Sequence, residues 1–195
     1  MLAPYKIRSM AKSDLERVKE FTDRAIGTGY YSTSELEAIY QQSIFKNEKV
    51  LTLVLEIDEQ IKGVRITYPP GQWQKGKGEG LNPTLWPYSL DETAYFQSLF
   101  VDPQLTGRGY GKLLSQAAIK NLKDIGAKGI VCHSWKESPH DSSGKYLRAL
   151  GFELIAAHPL YWNEINYVCT RCGKPCLCTA EEMYLSLDDN KKGKI

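Results

Sequence analysis

Residues 99–114, LFVDPQLTGRGYGKLL, constrain the fold more than any other stretch of this chain. An apolar run suited to a strand closes at Asp102-Pro103, glycines follow at 107, 109 and 111, and a helical pattern starts at once. Leu113, Leu114, Ala117, Ala118, Leu122 and Ile125 share one face of that helix, and Gly126 stops it. A strand that turns through glycines straight into a one-faced helix needs a sheet for the helix to cover, which makes this a layered domain. The turn is also a site. Glycine permits φ > 0 and close approach of a ligand to the backbone. The helix start adds unpaired amides and a partial positive charge, so the turn suits an anion and above all a phosphate.

The rest of the chain supplies the sheet and further helices. Tyr5 and Ile7 alternate in a short strand. Ser13 and Glu16 then have capping-box spacing ahead of Leu15, Val18, Phe21 and Ala25. Ser32 and Glu35 repeat that signal before Leu36, Ile39, Tyr40 and Ile44. Residues 50–57 read as a buried strand, and 58–60 as a turn into alternating Val64, Ile66 and Tyr68, a hairpin. Strands are expected at 95–101, 130–135 and 153–157 and around Met183, Leu185 and Leu187, with a short helix over 142–150. Residues 69–93 lose all period while carrying Trp73 and Trp86; a solvated insertion and a flap over a site are both open readings. The whole reads as one α+β domain (α/β-like) over 1–188, with a disordered polar tail at 189–195.

Charge and hydropathy exclude several classes. With 25 Lys and Arg against 23 Asp and Glu, the net +2 is too balanced for wrapping nucleic acid by charge. No apolar run approaches the ~20 residues that span a bilayer, and the first ten residues lack a signal-peptide core, so a cytoplasmic location is expected. The glycine turn also fails three familiar motifs. A P-loop needs Gly where Thr106 stands and Ser or Thr where Leu113 stands. The dinucleotide fingerprint needs G-x-G-x-x-G, and this turn has G-x-G-x-G. The RNA-binding hexamer needs an aromatic at Lys112 and lies within a strand.

Strand, V-x-P, glycine turn and helix together resemble the acyl-CoA site of the GNAT superfamily of N-acyltransferases, and YLRALGFEL resembles that family's late helix and G-F turn. Thr106, Gly109 and Gly111 take the fixed places of the family's turn, the first departing from its usual Arg or Gln. The resemblance implies a central mixed, mostly antiparallel sheet with helices on both faces. It implies a pantetheine arm paired with the backbone of Leu99, Phe100 and Val101, and pyrophosphate on Gly107, Arg108, Gly109, Tyr110, Gly111 and Lys112. An amine would attack the thioester directly, so positioning and proton removal are the main tasks. The family's usual base positions match Tyr95 and Gln97. Tyr95 is a poor base near neutrality, but it can relay a proton through water to Asp91 or Glu92; a packed sheet aromatic is the alternative. The family's general-acid Tyr falls on Leu147, with Tyr146 beside it, about 100° round the helix. Acetyl-CoA and an amine acceptor of a small molecule or peptide are the implied partners, with no nucleic acid or membrane, and a homodimer is left open. A non-catalytic acyl-CoA sensor on the same fold is the other reading.

Cysteines make the remaining signal. Cys132 and His133 are neighbours on a strand, face opposite sides and cannot form a dyad. Cys169, Cys172, Cys176 and Cys178 crowd into one segment, the first pair in a C-x-x-C-G knuckle. A structural zinc with four sulfur ligands is the leading reading, ahead of an iron–sulfur set, reduced thiols or disulfides. Trp73, Trp86, Tyr30 and Tyr31 are candidates for an aromatic acceptor pocket or for local packing.

Overall fold

Each apolar face read from the sequence finds its partner across one central sheet. The computed structural model describes residues 4–73, 80–164 and 168–188. Its strands are β1 (Lys6–Ser9), β2 (Ile44–Phe45), β3 (Lys49–Val50), β4 (Leu53–Ile57), β5 (Gln60–Tyr68), β6 (Thr93–Val101), β7 (Gly129–Trp135), β8 (Glu153–His158) and β9 (Ala180–Ser186). Four α-helices accompany them: α1 (Leu15–Ala25), α2 (Thr33–Gln42), α3 (Tyr110–Asp124) and α4 (Ser142–Arg148). Seven strands form the sheet in the order β1-β4-β5-β6-β7-β9-β8, while β2 and β3 make a separate small hairpin. Every pair in the main sheet is antiparallel except β6–β7.

Alternation along the strands builds two cores. Val64, Ile66, Tyr68, Tyr95, Val131 and Tyr184 meet Val18 and Phe21 of α1 and Leu36 and Ile39 of α2 on one face. Phe96, Ile130, Cys132 and Met183 meet Leu114, Ala118 and Leu122 of α3 and Leu147 of α4 on the other. Full burial of one such side chain contributes about 1.5–3 kcal/mol, so the two-sided sheet dominates the fold's stability.

Several boundaries differ from the sequence reading. Ser32 and Glu35 do form the expected capping box, with Glu35 N donating to Ser32 Oγ at 3.2 Å and Ser32 N to the Glu35 carboxylate at 2.8 Å. Ser13, however, does not cap α1. Asp14 stands at that end, and its carboxylate accepts from Ala11 N at 2.8 Å and pairs with Arg8 and Arg17, which a serine hydroxyl cannot match. The expected strand 50–57 is cut in two. Leu51 N donates to Ser43 O, and Thr52 O accepts from Met10 N, so β4 begins only at Leu53. The tail at 189–195 lies outside the described residues.

Trp73 and Trp86 are both buried. Trp73 Nε1 donates to Thr93 O at 2.8 Å, and Trp86 Nε1 to Glu182 Oε1 at 2.7 Å. The described parts of 69–93 are therefore fastened to the sheet by their tryptophans, not left as a solvated insertion.

Candidate active site

β6 and β7 lie paired only from Thr93–Gly129 to Phe96–Cys132. Beyond that point β6 runs on to Val101 paired only with β5, and β7 to Trp135 paired only with β9. The cause lies in β6. Gln97 is an extra residue between the pairs Thr67–Phe96 and Ile66–Ser98, a bulge that bends the strand away from β7. A gap thus opens inside the sheet, and Leu99, Phe100 and Val101 turn an unpaired backbone edge toward it.

The glycine turn stands at the far end of that edge. Gly107 (φ +79°) and Gly109 (φ +92°) are left-handed, with open space where a Cβ would be, so glycine is required there by backbone conformation. The first helical hydrogen bond of α3 runs from Leu113 N to Gly109 O at 3.1 Å, which leaves the amides of Tyr110, Gly111 and Lys112 without intrahelical acceptors. Arg108 and Lys112 are exposed beside them. Tyr110 differs from its neighbours: its ring is buried, edge-on to Tyr5 at 5.7 Å, so only its amide is available to a ligand. Gly111 backs directly onto Leu99, where a Cβ would meet Leu99 Cδ2 at 3.2 Å. The turn and the open edge of β6 are one continuous surface.

Two groups of side chains meet where the strands part. On the α3/α4 face, Tyr146 hydrogen-bonds Ser115 of α3 through its hydroxyl, while Leu147, at the family's tyrosine position, is packed in the core. Arg65 lies against the Phe96 ring, 3.6 Å from its centroid. On the α1/α2 face, Tyr95 Oη lies 2.8 Å from His133 Nδ1, and Tyr161 Oη lies 3.2 Å from the same nitrogen. His133 Nε2 is 2.5 Å from Gly80 O. A carbonyl only accepts, so Nε2 carries the proton and Nδ1 is the lone pair that receives the hydroxyls. Burial lowers the His133 pKa and holds the ring neutral, and burial raises that of Tyr95 well above its ordinary value. Gly80 permits this packing, because a Cβ there would fall 2.7 Å from His158 Cγ and 2.8 Å from the Tyr161 ring. Fully buried Glu182 fixes the surroundings, accepting from Asn82 N, Asn82 Nδ2 and Trp86 Nε1 and pairing with His158 Nε2 at 3.0 Å.

The expected catalytic trio is thus divided. Tyr95 is at the parting point on one face and Tyr146 on the other, but Glu92 is elsewhere. Its carboxylate accepts from Ser89 N and Oγ in a cap at the start of β6, the end opposite the gap. The group that faces Tyr95 is His133, which sequence reasoning set aside with Cys132. His133 and Tyr95 both point to the α1/α2 face of adjacent strands, a pairing visible only once the strands are placed. Tyr30 and Tyr31 stand edge-on to each other and to Phe100 on that same face. Trp73 and Trp86 instead pack inward, Trp73 stacking on Tyr95 at 4.9 Å.

The four C-terminal cysteines converge between β8 and β9. All are free thiols, and their sulfurs lie within 4.8 Å of one another. The measured edges are 3.8 Å (Cys169–Cys178), 3.9 Å (Cys172–Cys176) and 3.7 Å (Cys172–Cys178). Tetrahedral Zn–S bonds of about 2.3 Å require edges of roughly 3.8 Å, so these three edges already have zinc spacing and the others, within 4.8 Å, need only a small contraction. Gly173 (φ +76°) makes the knuckle turn, closed by Cys169 N to Gly173 O at 3.0 Å. Burial raises the Cys169 pKa, but the amides of Cys172 and Arg171 outweigh it and bring the thiol down to about 7.

The acetyltransferase (GNAT) family model matches residues 15–152. Among solved structures, the ribosomal-protein-S18-alanine N-acetyltransferase from Escherichia coli superposes with TM-score 0.69 at 15% identity, covering 98% of this chain and 99% of that one. An N-acetyltransferase from Staphylococcus aureus Mu50 gives 0.68 at 18% identity, covering 95% and 100%. The protein yncA from Salmonella typhimurium, solved with its cofactor acetyl-CoA, gives 0.66 at 20% identity, covering 97% and 98%. No curated protein matches this chain by sequence.

Proposed function

The chain belongs to the acetyltransferase (GNAT) family, and on that footing we propose that it moves an acyl group, acetyl in the simplest case, from acyl-CoA to an amine of a small molecule or peptide. One observation carries the reading: the open backbone edge at Leu99, Phe100 and Val101 leads from a left-handed glycine turn to a tyrosine–histidine pair.

In this reading the amides of the turn and the start of α3 hold the pyrophosphate, and the β6 edge holds the pantetheine amides. The acceptor nitrogen approaches from the α1/α2 face, past Tyr30 and Tyr31, and attacks the thioester carbon. A C–N bond forms and the C–S bond breaks. The proton shed by the amine passes to the Tyr95 oxygen as the Tyr95 proton moves to His133 Nδ1, so the neutral imidazole is the base and the phenol its relay. On the other face, the Tyr146 hydroxyl is the proton donor for the leaving thiolate. Glu92 has no part in this route.

Cys169, Cys172, Cys176 and Cys178 would hold a structural zinc, since four sulfur donors leave no open position for substrate. Free thiols and a metal-ready donor set suit a reducing, cytoplasmic setting. Among the described residues no helix is long and apolar enough to cross a membrane.

Calorimetry with acetyl-CoA, paired with a thiol-release assay over a panel of amines, tests the proposal. Binding that Gly109→Val weakens at least tenfold, with release of free thiol only when amine is present, is the expected result. Absence of binding overturns the reading. Binding without turnover favours the non-catalytic sensor.

A further inference from the structure

Arg65 is a buried cation with no counter-ion among the described residues. It is only 4% exposed, opposite Leu99 on the α3/α4 face of β5. The titratable groups that act on it are Tyr146 from α4, Cys132 from β7 and Tyr95 from β6, none of them an anion at neutral pH. No carboxylate pairs with it among the described residues. Its Nε has no hydrogen-bond partner, and neither has Thr67 Oγ1, which alternation places two residues on along the same strand face. Gln97 Oε1, at the bulge that opens the gap, is also unpartnered. A guanidinium kept from water without an anion is strongly unfavourable unless a ligand supplies one. Three orphaned polar atoms beside one gap mark a place where something polar binds.

Position selects which part of a ligand that is. Resting on the acyl-CoA reading, the donor enters at the glycine turn and its arm follows β6 from Val101 past Leu99 toward the parting point at Phe96. Arg65 is paired with Leu99 and stacked on Phe96, so it faces the atoms at and beyond the thioester. The phosphates are accounted for at the other end of the arm. We infer that the acyl pocket takes an acyl group ending in a carboxylate, a dicarboxylic acyl-CoA, with Arg65 as its counter-ion and Thr67 as a second donor. The transfer chemistry is unchanged, because the distal carboxylate takes no part in bond making.

The test compares succinyl-CoA with acetyl-CoA and free CoA on the full-length protein, by calorimetry and by turnover with the same amine. Succinyl-CoA should bind at least about tenfold more tightly than acetyl-CoA, as a charge-assisted hydrogen bond in a buried site provides. Arg65→Gln should bring that ratio to about one, and Arg65→Lys should retain part of it. A wild-type ratio of one or less overturns the inference while leaving the acyltransferase intact, and this measurement does not depend on any variant folding. An Arg65→Gln protein that keeps the tenfold ratio overturns it as well. If none of the CoA compounds binds, the acyltransferase reading itself fails, and this inference with it.

Discussion

His133 is the residue on which the proposed chemistry turns. Its Nε2 is committed to Gly80 O, so Nδ1 alone can take a proton, and Tyr95 is the group that delivers it. Burial lowers the folded-state pKa below the ordinary 6.5. The unfolded chain therefore binds that proton more readily: the neutral ring contributes full stability above pH 6.5, and the contribution is lost as pH falls from there through the folded value. Activity follows the same sense. The acid limb of kcat/KM should have its midpoint below pH 6.5, and His133→Gln should remove the limb and lower kcat by roughly 10²–10⁴-fold. Tyr95→Phe should lower kcat comparably while leaving the thermal midpoint within a few degrees. A limb that persists in His133→Gln would assign the base elsewhere. The sequence offered Tyr95 but not its partner, because residues 38 apart become neighbours only through the parallel β6–β7 pairing.

Among elements, the segment joining β8 to β9 has the most consequence. Trp162 packs against the cysteine cluster, and its neighbour Tyr161 stacks on His133 at 4.4 Å, so the knuckle and the proton relay share one short stretch of backbone. Asn163 Nδ2 reaches Cys176 O at 3.4 Å and adds a second tie. One zinc per chain is expected from elemental analysis of reduced protein. Chelation, or Cys178→Ser, should lower the thermal midpoint and kcat together, because releasing the knuckle releases Tyr161. A metal content near zero would refute the zinc site, and loss of metal at unchanged kcat would refute the coupling. The C-x-x-C-G and C-x-C spacings made this knuckle legible, since ligands so close in sequence need little help from the fold. The bulge at Gln97 was not legible. Nothing in the alternation of β6 marks one residue as extra until β5 is laid beside it.

For the molecule as a whole, the sheet is tied down by polar networks on both sides of the gap. On the β1 side, Asp14 and Glu56 bind Arg8 and Arg17 between β1, β4 and α1, with Arg8 contacts of 2.5 Å and 2.9 Å. Hydrogen bonds from Arg8 lower the pKa of both carboxyls. Their contribution is present at neutral pH and is lost as pH falls through their lowered folded values. Arg8→Met should cost about 1–3 kcal/mol at pH 7 and flatten the acid dependence of stability in denaturant titrations; an unchanged slope below pH 5 would disprove the role. On the other side, Glu182 anchors the 82–86 stretch to β9 with every acceptor used inward. The chain's local pattern was enough to establish strands, helices, one α+β domain, the left-handed glycine turn ahead of a helix and the cysteine knuckle. Those features depend on residues within a few positions of each other, where periodicity, capping and glycine's φ freedom act. Tertiary structure alone decided that β6 and β7 part after Phe96 and Cys132, that Glu92 is a cap, that His133 meets Tyr95, and that Arg65 is buried without an anion among the described residues. Each of those depends on register between distant segments, which sequence neighbours do not encode.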